Sequence, residues 1–176
     1  VCSGLGIAPQ KIKDVIGITK AYCTRVGSGP FPTELMDETG DFLRNAGNEF
    51  GSTTGRPRRC GWIDLVALRF ACMINGVTKI VMTKADILDS IHELKVCDSY
   101  YANGTNTSSI PFQMHKMEII PQYVSLKGWE TDISKINEAS KMPEAMKNYI
   151  SFINEYLGVS VNYISNGPGR EQIISI

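Results

Sequence analysis

The stretch KIVMTKAD, Lys79 to Asp86, decides the fold class. Ile80, Val81 and Met82 form a short apolar run with turn signals on both sides, the mark of a buried parallel strand. The polar TKAD that follows then occupies the place where ligands gather in α/β sheets, the loops beyond strand ends.

Working outward, helical and strand signals alternate. Ile63 to Ile74 carries Leu65, Val66, Leu68, Ala71 and Cys72 at helical spacing and ends at Asn75-Gly76. Pro143 opens an amphipathic helix whose face holds Ala145, Met146, Tyr149, Ile150, Ile153, Tyr156 and Leu157, closed by Gly158. Val159 to Ile164 is a strand running into Ser165-Asn-Gly-Pro-Gly-Arg170. Towards the amino terminus, Ile12, Val15, Ile16, Ile18 and Ala21 suggest a helix over Pro9 to Tyr22, followed by a short strand at Cys23 to Gly27 and a rigid Gly/Pro loop. Asp37 to Asn45 is a short helix with Gly47 to end it. Ile87 to Leu94 reads as a further helix, Lys95 to Tyr101 as a strand before an Asn-Gly turn, and Met117 to Val124 as a strand in an otherwise irregular polar segment. The expected class is α/β, with a mainly parallel sheet and flanking helices in one domain.

Composition removes several functions. The chain has 176 residues, 43% hydrophobic, and its 18 Lys+Arg are balanced by 18 Asp+Glu. A neutral chain lacks the one-signed face of a general nucleic-acid or membrane-surface binder. No apolar run approaches the ~20 residues that span a bilayer. The cysteines Cys2, Cys23, Cys60, Cys72 and Cys97 have no CxxC spacing, and His92 and His115 lie far from any cysteine pair. Free thiols and surface histidines are expected, with no metal site.

Against that neutral background, GSTTGRPRRCGW, Gly51 to Trp62, places three arginines in four positions. Ser52, Thr53 and Thr54 offer hydroxyls, Gly55 offers flexibility, and Arg56, Arg58 and Arg59 offer forks that pair with carboxylate or phosphate. Pro57 fixes φ between two of them. A solvated loop whose arginines pair with Glu49 and Asp64 is the competing explanation. In Lys84-Ala85-Asp86, the carboxylate can accept from the N1–H and amino group of guanine while the lysine stem lies over the base. An N-cap role for Asp86 is as well supported by the sequence alone. Ser165, Asn166 and Gly167 form either a third ligand loop or a plain turn. All three loops are expected to follow strand ends.

In this order, RVGSGPFPTEL, DETGDFL, GNEFGSTTGRPRRCGWIDLVALR, TKADILD and SNGPGR closely resemble the adenylosuccinate synthetase family, over essentially the whole chain. The resemblance implies the carboxy-terminal part of a P-loop-like, GTP-dependent synthetase fold. It also implies a reaction joining IMP and L-aspartate to give adenylosuccinate, GDP and phosphate in purine biosynthesis. By the same resemblance, Ser52, Thr53, Thr54, Gly55, Arg56, Pro57 and Arg58 hold L-aspartate, and Arg56 and the Val26 carbonyl meet IMP. Arg58, Lys84, Ala85, Asp86, Ser165, Asn166 and Gly167 meet GTP. Ala85 stands where a larger apolar residue is common, and Pro57 where some members have arginine.

The family's amino-terminal glycine-rich phosphate loop, with its catalytic aspartate, and an early catalytic histidine have no counterpart here. The expectation is therefore a carboxy-terminal portion, inactive alone and holding no catalytic or metal-binding residue. Mg²⁺ would be bound mainly by the missing part and by GTP. The resemblance further implies a cytoplasmic homodimer. The alternative is a stand-alone guanine-nucleotide-binding module without catalysis.

Overall fold

Lys79–Thr83 forms a strand with parallel neighbours on both sides, as its apolar sequence requires. The computed structural model describes residues 1–176. In chain order its elements are α1 (Cys2–Leu5), β1 (Ile16–Lys20), β2 (Cys23–Arg25), α2 (Glu38–Ala46), β3 (Arg59–Gly61), β4 (Ile63–Asp64) and α3 (Leu65–Asn75). There follow β5 (Lys79–Thr83), β6 (Glu93–Ala102), β7 (Thr105–Thr107), β8 (Ile119–Lys127), α4 (Glu144–Leu157), β9 (Val161–Ser165) and β10 (Ile173–Ser175).

The central sheet has the order β1-β5-β9-β10, parallel across its first three strands and closed by antiparallel β10. Parallel pairing matters for function because it brings the carboxyl ends of β1, β5 and β9 to one edge. Lys20 lies opposite Thr83, and Met82 opposite Ile164, so the segments after all three strands leave the sheet side by side. A second sheet pairs β4 parallel and β7 and β8 antiparallel with the long β6. The ribbon β2–β3 is antiparallel.

Helices cover these sheets as their sequences dictate. In α4 the residues Met146, Tyr149, Ile150, Ile153 and Leu157 are buried, the i, i+3, i+4 stripe of a helix lying on a core. Trp129 meets the Tyr149 ring edge-on at 5.8 Å, and the Tyr149 hydroxyl donates to the Ala21 carbonyl just beyond β1. Asp64 caps α3 by accepting from the Ala67 amide, and Gly76 ends it at φ 61°, a left-handed conformation that costs glycine nothing. Asp37 caps α2 in the same manner through the Gly40 amide.

Two segments differ from the sequence expectation. Pro9 to Tyr22 is not a helix: only Pro9–Lys11 makes a 3₁₀ turn, and Ile16–Lys20 is strand β1. The apolar spacing mimics a helical stripe, but the β-branched Ile16, Ile18 and Thr19 favour a pleated strand, and pairing with β5 supplies it. Ile87 to Leu94 is likewise not a helix. A 3₁₀ turn at Ala85–Leu88 gives way to β6, which begins at Glu93 because Glu93-Leu94-Lys95-Val96 alternates exposed and buried side chains. No helix is long and apolar enough to cross a membrane.

Ile153 has no solvent exposure and lies at the centre of the α4 stripe. Ile153→Ala is expected to cost about 2–5 kcal/mol of unfolding free energy in urea denaturation, whereas Ser151→Ala on the exposed face stays within about 0.5 kcal/mol.

Candidate functional site

The arginine loop folds on itself. Phe50 bridges Pro57, the Gly51 amide donates to the Arg56 carbonyl at 2.9 Å, and the Gly55 amide donates to Gly51 at 2.8 Å. Gly55 takes φ 63°, which turns the chain back. Ser52, Thr53, Thr54 and Arg56 are left exposed at the tip. The loop does not follow a strand, contrary to expectation: it leaves α2 and leads into β3. It reaches the sheet edge because β3 pairs with β2, which continues the chain beyond β1.

Its three arginines separate into different roles. Arg59 grips Glu34 through Nε at 2.7 Å and donates to the carbonyls of Gly27 and Gly29, so it holds the Gly/Pro loop in place. Gly61 completes that clamp: a Cβ there would lie 2.1 Å from the Thr33 carbonyl, a contact only glycine permits. Arg56 makes no side-chain bond. Arg58 is half-committed, donating Nη1 to Glu49 at 2.7 Å while its backbone amide donates to the Glu49 carbonyl. Glu49 is thus the partner that the competing explanation named for the arginines, but only for Arg58. Asp64 pairs with none of them; it accepts from the Tyr100 hydroxyl and caps α3.

Around this loop lies an open cleft of about 760 Å³, lined by Arg25, Val26, Thr54, Arg56, Arg58 and Arg59 among others. Val26 is 78% exposed within it. Four arginines line it, Arg58 and Arg59 also engaged with Glu49 and Glu34, a surface suited to an anion.

Behind the cleft, Glu49 has no solvent exposure. Its Oε1 accepts from Lys20 Nζ and from the Tyr22 hydroxyl, each at 2.7 Å, and Lys84 Nζ stands 3.9 Å away. Burial alone would raise this carboxyl's pKa, but hydrogen bonds from Lys20, Tyr22 and Arg58 outweigh it and hold the group below the usual glutamate value. One carboxylate therefore joins the arginine loop to the loop after β5.

That second loop begins with Lys84 at φ 60°, ψ 30°, and its ammonium also donates to the Gly47 carbonyl. Ala85 is buried beneath. Asp86 caps no helix: Lys84 opens the 3₁₀ turn with no side-chain cap bond. The Asp86 carboxyl is pushed up by burial, an effect that a hydrogen bond from its own backbone amide and the charge of Lys84 only partly offset. Abreast of it, Ser165 Oγ donates to the Gly167 carbonyl at 3.0 Å, and the Gly167 backbone packs against the Gln172 amide. Asn166 is wholly buried; its amide donates to the Ile133 and Ile136 carbonyls and its Oδ1 has no partner. Asp89 fastens the same 129–136 segment by accepting from Trp129 Nε1 and the Ile133 amide.

The sequence profile of the family described as adenylosuccinate synthetase matches residues 1–174. The chain belongs to the adenylosuccinate synthetase family. It is 57% identical over 173 residues to the adenylosuccinate synthetase of Azobacteroides pseudotrichonymphae genomovar. CFP2, covering 98% of this chain and 41% of that protein. Against the chloroplastic adenylosuccinate synthetase 2 of Sorghum bicolor it is 52% identical over 176 residues, covering 99% of this chain and 36% of that one. A fully ligated adenylosuccinate synthetase structure from Plasmodium falciparum superposes with a TM-score of 0.92 at 39% identity, over 99% of this chain and 42% of the other. The chain thus spans about two fifths of the length of the relatives it matches.

Within this chain, Val26, Thr54, Arg56, Pro57 and Arg58 share one cleft, and Lys84 faces, at 3.9 Å, the carboxylate that holds Arg58. The second loop pair, with Ala85, Asp86, Ser165, Asn166 and Gly167, is set side by side by strand register. Ser52 and Thr53 stand at the exposed tip of the arginine loop. Lys20 and Arg25 were missed from sequence. Lys20 was hidden in a segment expected to be helical, and Arg25, next to Val26, was signalled only by its position before the Gly/Pro loop. No three His, Cys, Asp or Glu side chains gather to hold a metal. The cleft offers guanidinium groups and no carboxylate where Mg²⁺ would require oxygens, so the residues present do not fit that ion.

Asp86 and Glu49 respond to pH with opposite sign. Glu49, with a lowered pKa, contributes stability above the ordinary glutamate value of 4.5 that is lost as pH falls through its lower folded value. Asp86, with a raised pKa, contributes stability below the ordinary aspartate value of 3.8 that is lost as pH rises through its raised value. Asp86→Asn is accordingly expected to raise the urea midpoint at pH 7, with the gain shrinking to nothing below pH 3.8. An unchanged midpoint at pH 7 would contradict the burial cost assigned to this carboxylate.

Proposed function

We propose that this chain supplies the L-aspartate and guanine-nucleotide subsites of a GTP-dependent ligase. The complete enzyme joins IMP and L-aspartate to give adenylosuccinate, GDP and phosphate in purine biosynthesis. The observation that carries this reading is the meeting of Arg58 and Lys84 around Glu49, behind one arginine-lined cleft. A dicarboxylate and a polyphosphate used in one reaction need adjoining cationic sites, and family membership makes these two the natural occupants.

The roles follow from chemistry. Arg56 and Arg58 hold the aspartate carboxylates through paired N–H donors, which lysine cannot supply in that geometry. Ser52, Thr53, Thr54 and Gly55 offer hydroxyls and amides at the loop tip, and Pro57 limits the entropy lost on ordering it. Arg56 also reaches the IMP ribose beside the Val26 carbonyl. Arg58, between aspartate and GTP, neutralises charge on the nucleotide phosphates. The Lys84 stem lies along the guanine plane above Ala85. Asp86 accepts from guanine N1–H and its amino group, a donor pair that adenine lacks. The backbone of Ser165, Asn166 and Gly167 borders the base.

In the reaction, the GTP γ-phosphoryl group passes to the hypoxanthine 6-oxygen, and the aspartate amine then displaces phosphate at C6. None of the residues described here is assigned the proton transfers of either step. Mg²⁺, if bound, would supply neutralisation of phosphate charge, and no residue described here would hold it. The same reading makes the complete enzyme a cytoplasmic homodimer and this chain inactive when alone.

The test is adenylosuccinate formation from IMP, L-aspartate and GTP with Mg²⁺, by the complete polypeptide and by this chain separately. Turnover by the complete polypeptide only is the expected result; none by either overturns the reading. In the complete enzyme, Arg58→Ala should weaken aspartate use by about 1.5–3 kcal/mol, roughly 10- to 150-fold in kcat/KM. Asp86→Asn should relax the preference for GTP over ATP, and strict selectivity retained by that variant would remove Asp86 from the guanine site.

A further inference from the structure

We infer that Glu49 is a positioning residue that holds the dicarboxylate site and the guanine-nucleotide site in register by gripping one cation from each. The inference rests on the ligase reading above. Three cations from three separate segments face this single carboxylate: Lys20 from the end of β1, Arg58 from the arginine loop and Lys84 from the loop after β5. The two oxygens divide the work. Oε2 takes Arg58 at 2.7 Å, while Oε1 takes Lys20 and Tyr22 at 2.7 Å and faces Lys84 at 3.9 Å.

The backbone reinforces the arrangement. The Glu49 carbonyl accepts from the Arg58 amide and the Glu49 amide donates to Arg44, whose own guanidinium donates to the Arg58 carbonyl. Gly47, two residues earlier, accepts from Lys84. Glu49 thus lies at the one point that both loops touch, and with no solvent exposure it is itself beyond the reach of either ligand. One negative charge among three positive ones leaves the cluster in net positive charge. The surplus faces outward through Arg58 and Lys84, which keep about a third of their side chains in solvent. Removing the carboxylate's charge leaves three cations repelling one another across a few ångströms, so Arg58 and Lys84 lose their fixed positions together.

The experiment compares the complete enzyme with its Glu49→Gln and Glu49→Asp variants, measuring KM for L-aspartate, KM for GTP and kcat, with folding followed by circular dichroism and urea denaturation. Glu49→Gln should raise both KM values together, each on the order of tenfold, with a smaller change in kcat. Glu49→Asp keeps the charge on a shorter arm and should fall between. A merely structural Glu49 would lower the active fraction, and with it the apparent kcat, at unchanged KM. That result, or a rise in only one KM, overturns the inference. Should Glu49→Gln fail to fold, Glu49→Asp decides: both KM values above wild type support the inference, and wild-type values overturn it. A wild-type enzyme without turnover overturns the ligase reading and the inference resting on it, which separates that failure from failure of the Glu49 role alone.

Discussion

A carboxylate removed from water is costly unless every charge and lone pair around it is matched, and the cleft is organised around one such group. Desolvating an ion costs several kcal/mol even after relaxation, so Glu49 is tolerable only while its cationic and hydroxyl partners are in place. That requirement runs in both directions. The end of β1, the arginine loop and the loop after β5 are distant in sequence, and Glu49 is a partner that all three share. Tyr22, buried and neutral, is the partner that satisfies an oxygen without adding charge.

The sheet makes this convergence possible. Parallel β1, β5 and β9 deliver their following segments to one edge, and the β2–β3 ribbon bends the chain back so that a loop preceding a strand arrives at the same place. Arg59 and Glu34, with Gly61 packed on Thr33, lock that ribbon to the Gly/Pro loop beneath Val26. Binding groups are thus carried on loops, and the precision comes from the scaffold that spaces them.

The sequence made much of this legible where a single physical cause dominated. The apolar run before Thr83 could hardly be anything other than a buried strand, and the α4 stripe closed by Gly158 admitted one interpretation. The clustered arginines stood out from composition alone, but not which of them would pair with an acid of the chain itself. What escaped depended on partners far away in the chain. Ile16 to Lys20 suits a helix in isolation and becomes a strand only because β5 offers it an edge, so Lys20 could not be recognised as a member of the cluster. Division of labour among Arg56, Arg58 and Arg59 was equally invisible, since only the folded chain assigns Glu34 to one and Glu49 to another. Asn166 looked like a ligand-loop residue, and its buried amide turns out to fasten the 133–136 backbone as well.

Lys84 occupies a left-handed conformation that disfavours any residue with a Cβ by about 1–2 kcal/mol relative to glycine. At this position the backbone alone favours glycine, whereas the Glu49 carboxylate and the Gly47 carbonyl favour an ammonium. Glycine at residue 84 would relax the turn but would strip Glu49 and Gly47 of a cationic partner, so the backbone strain is held in place by the same charge cluster that organises the cleft.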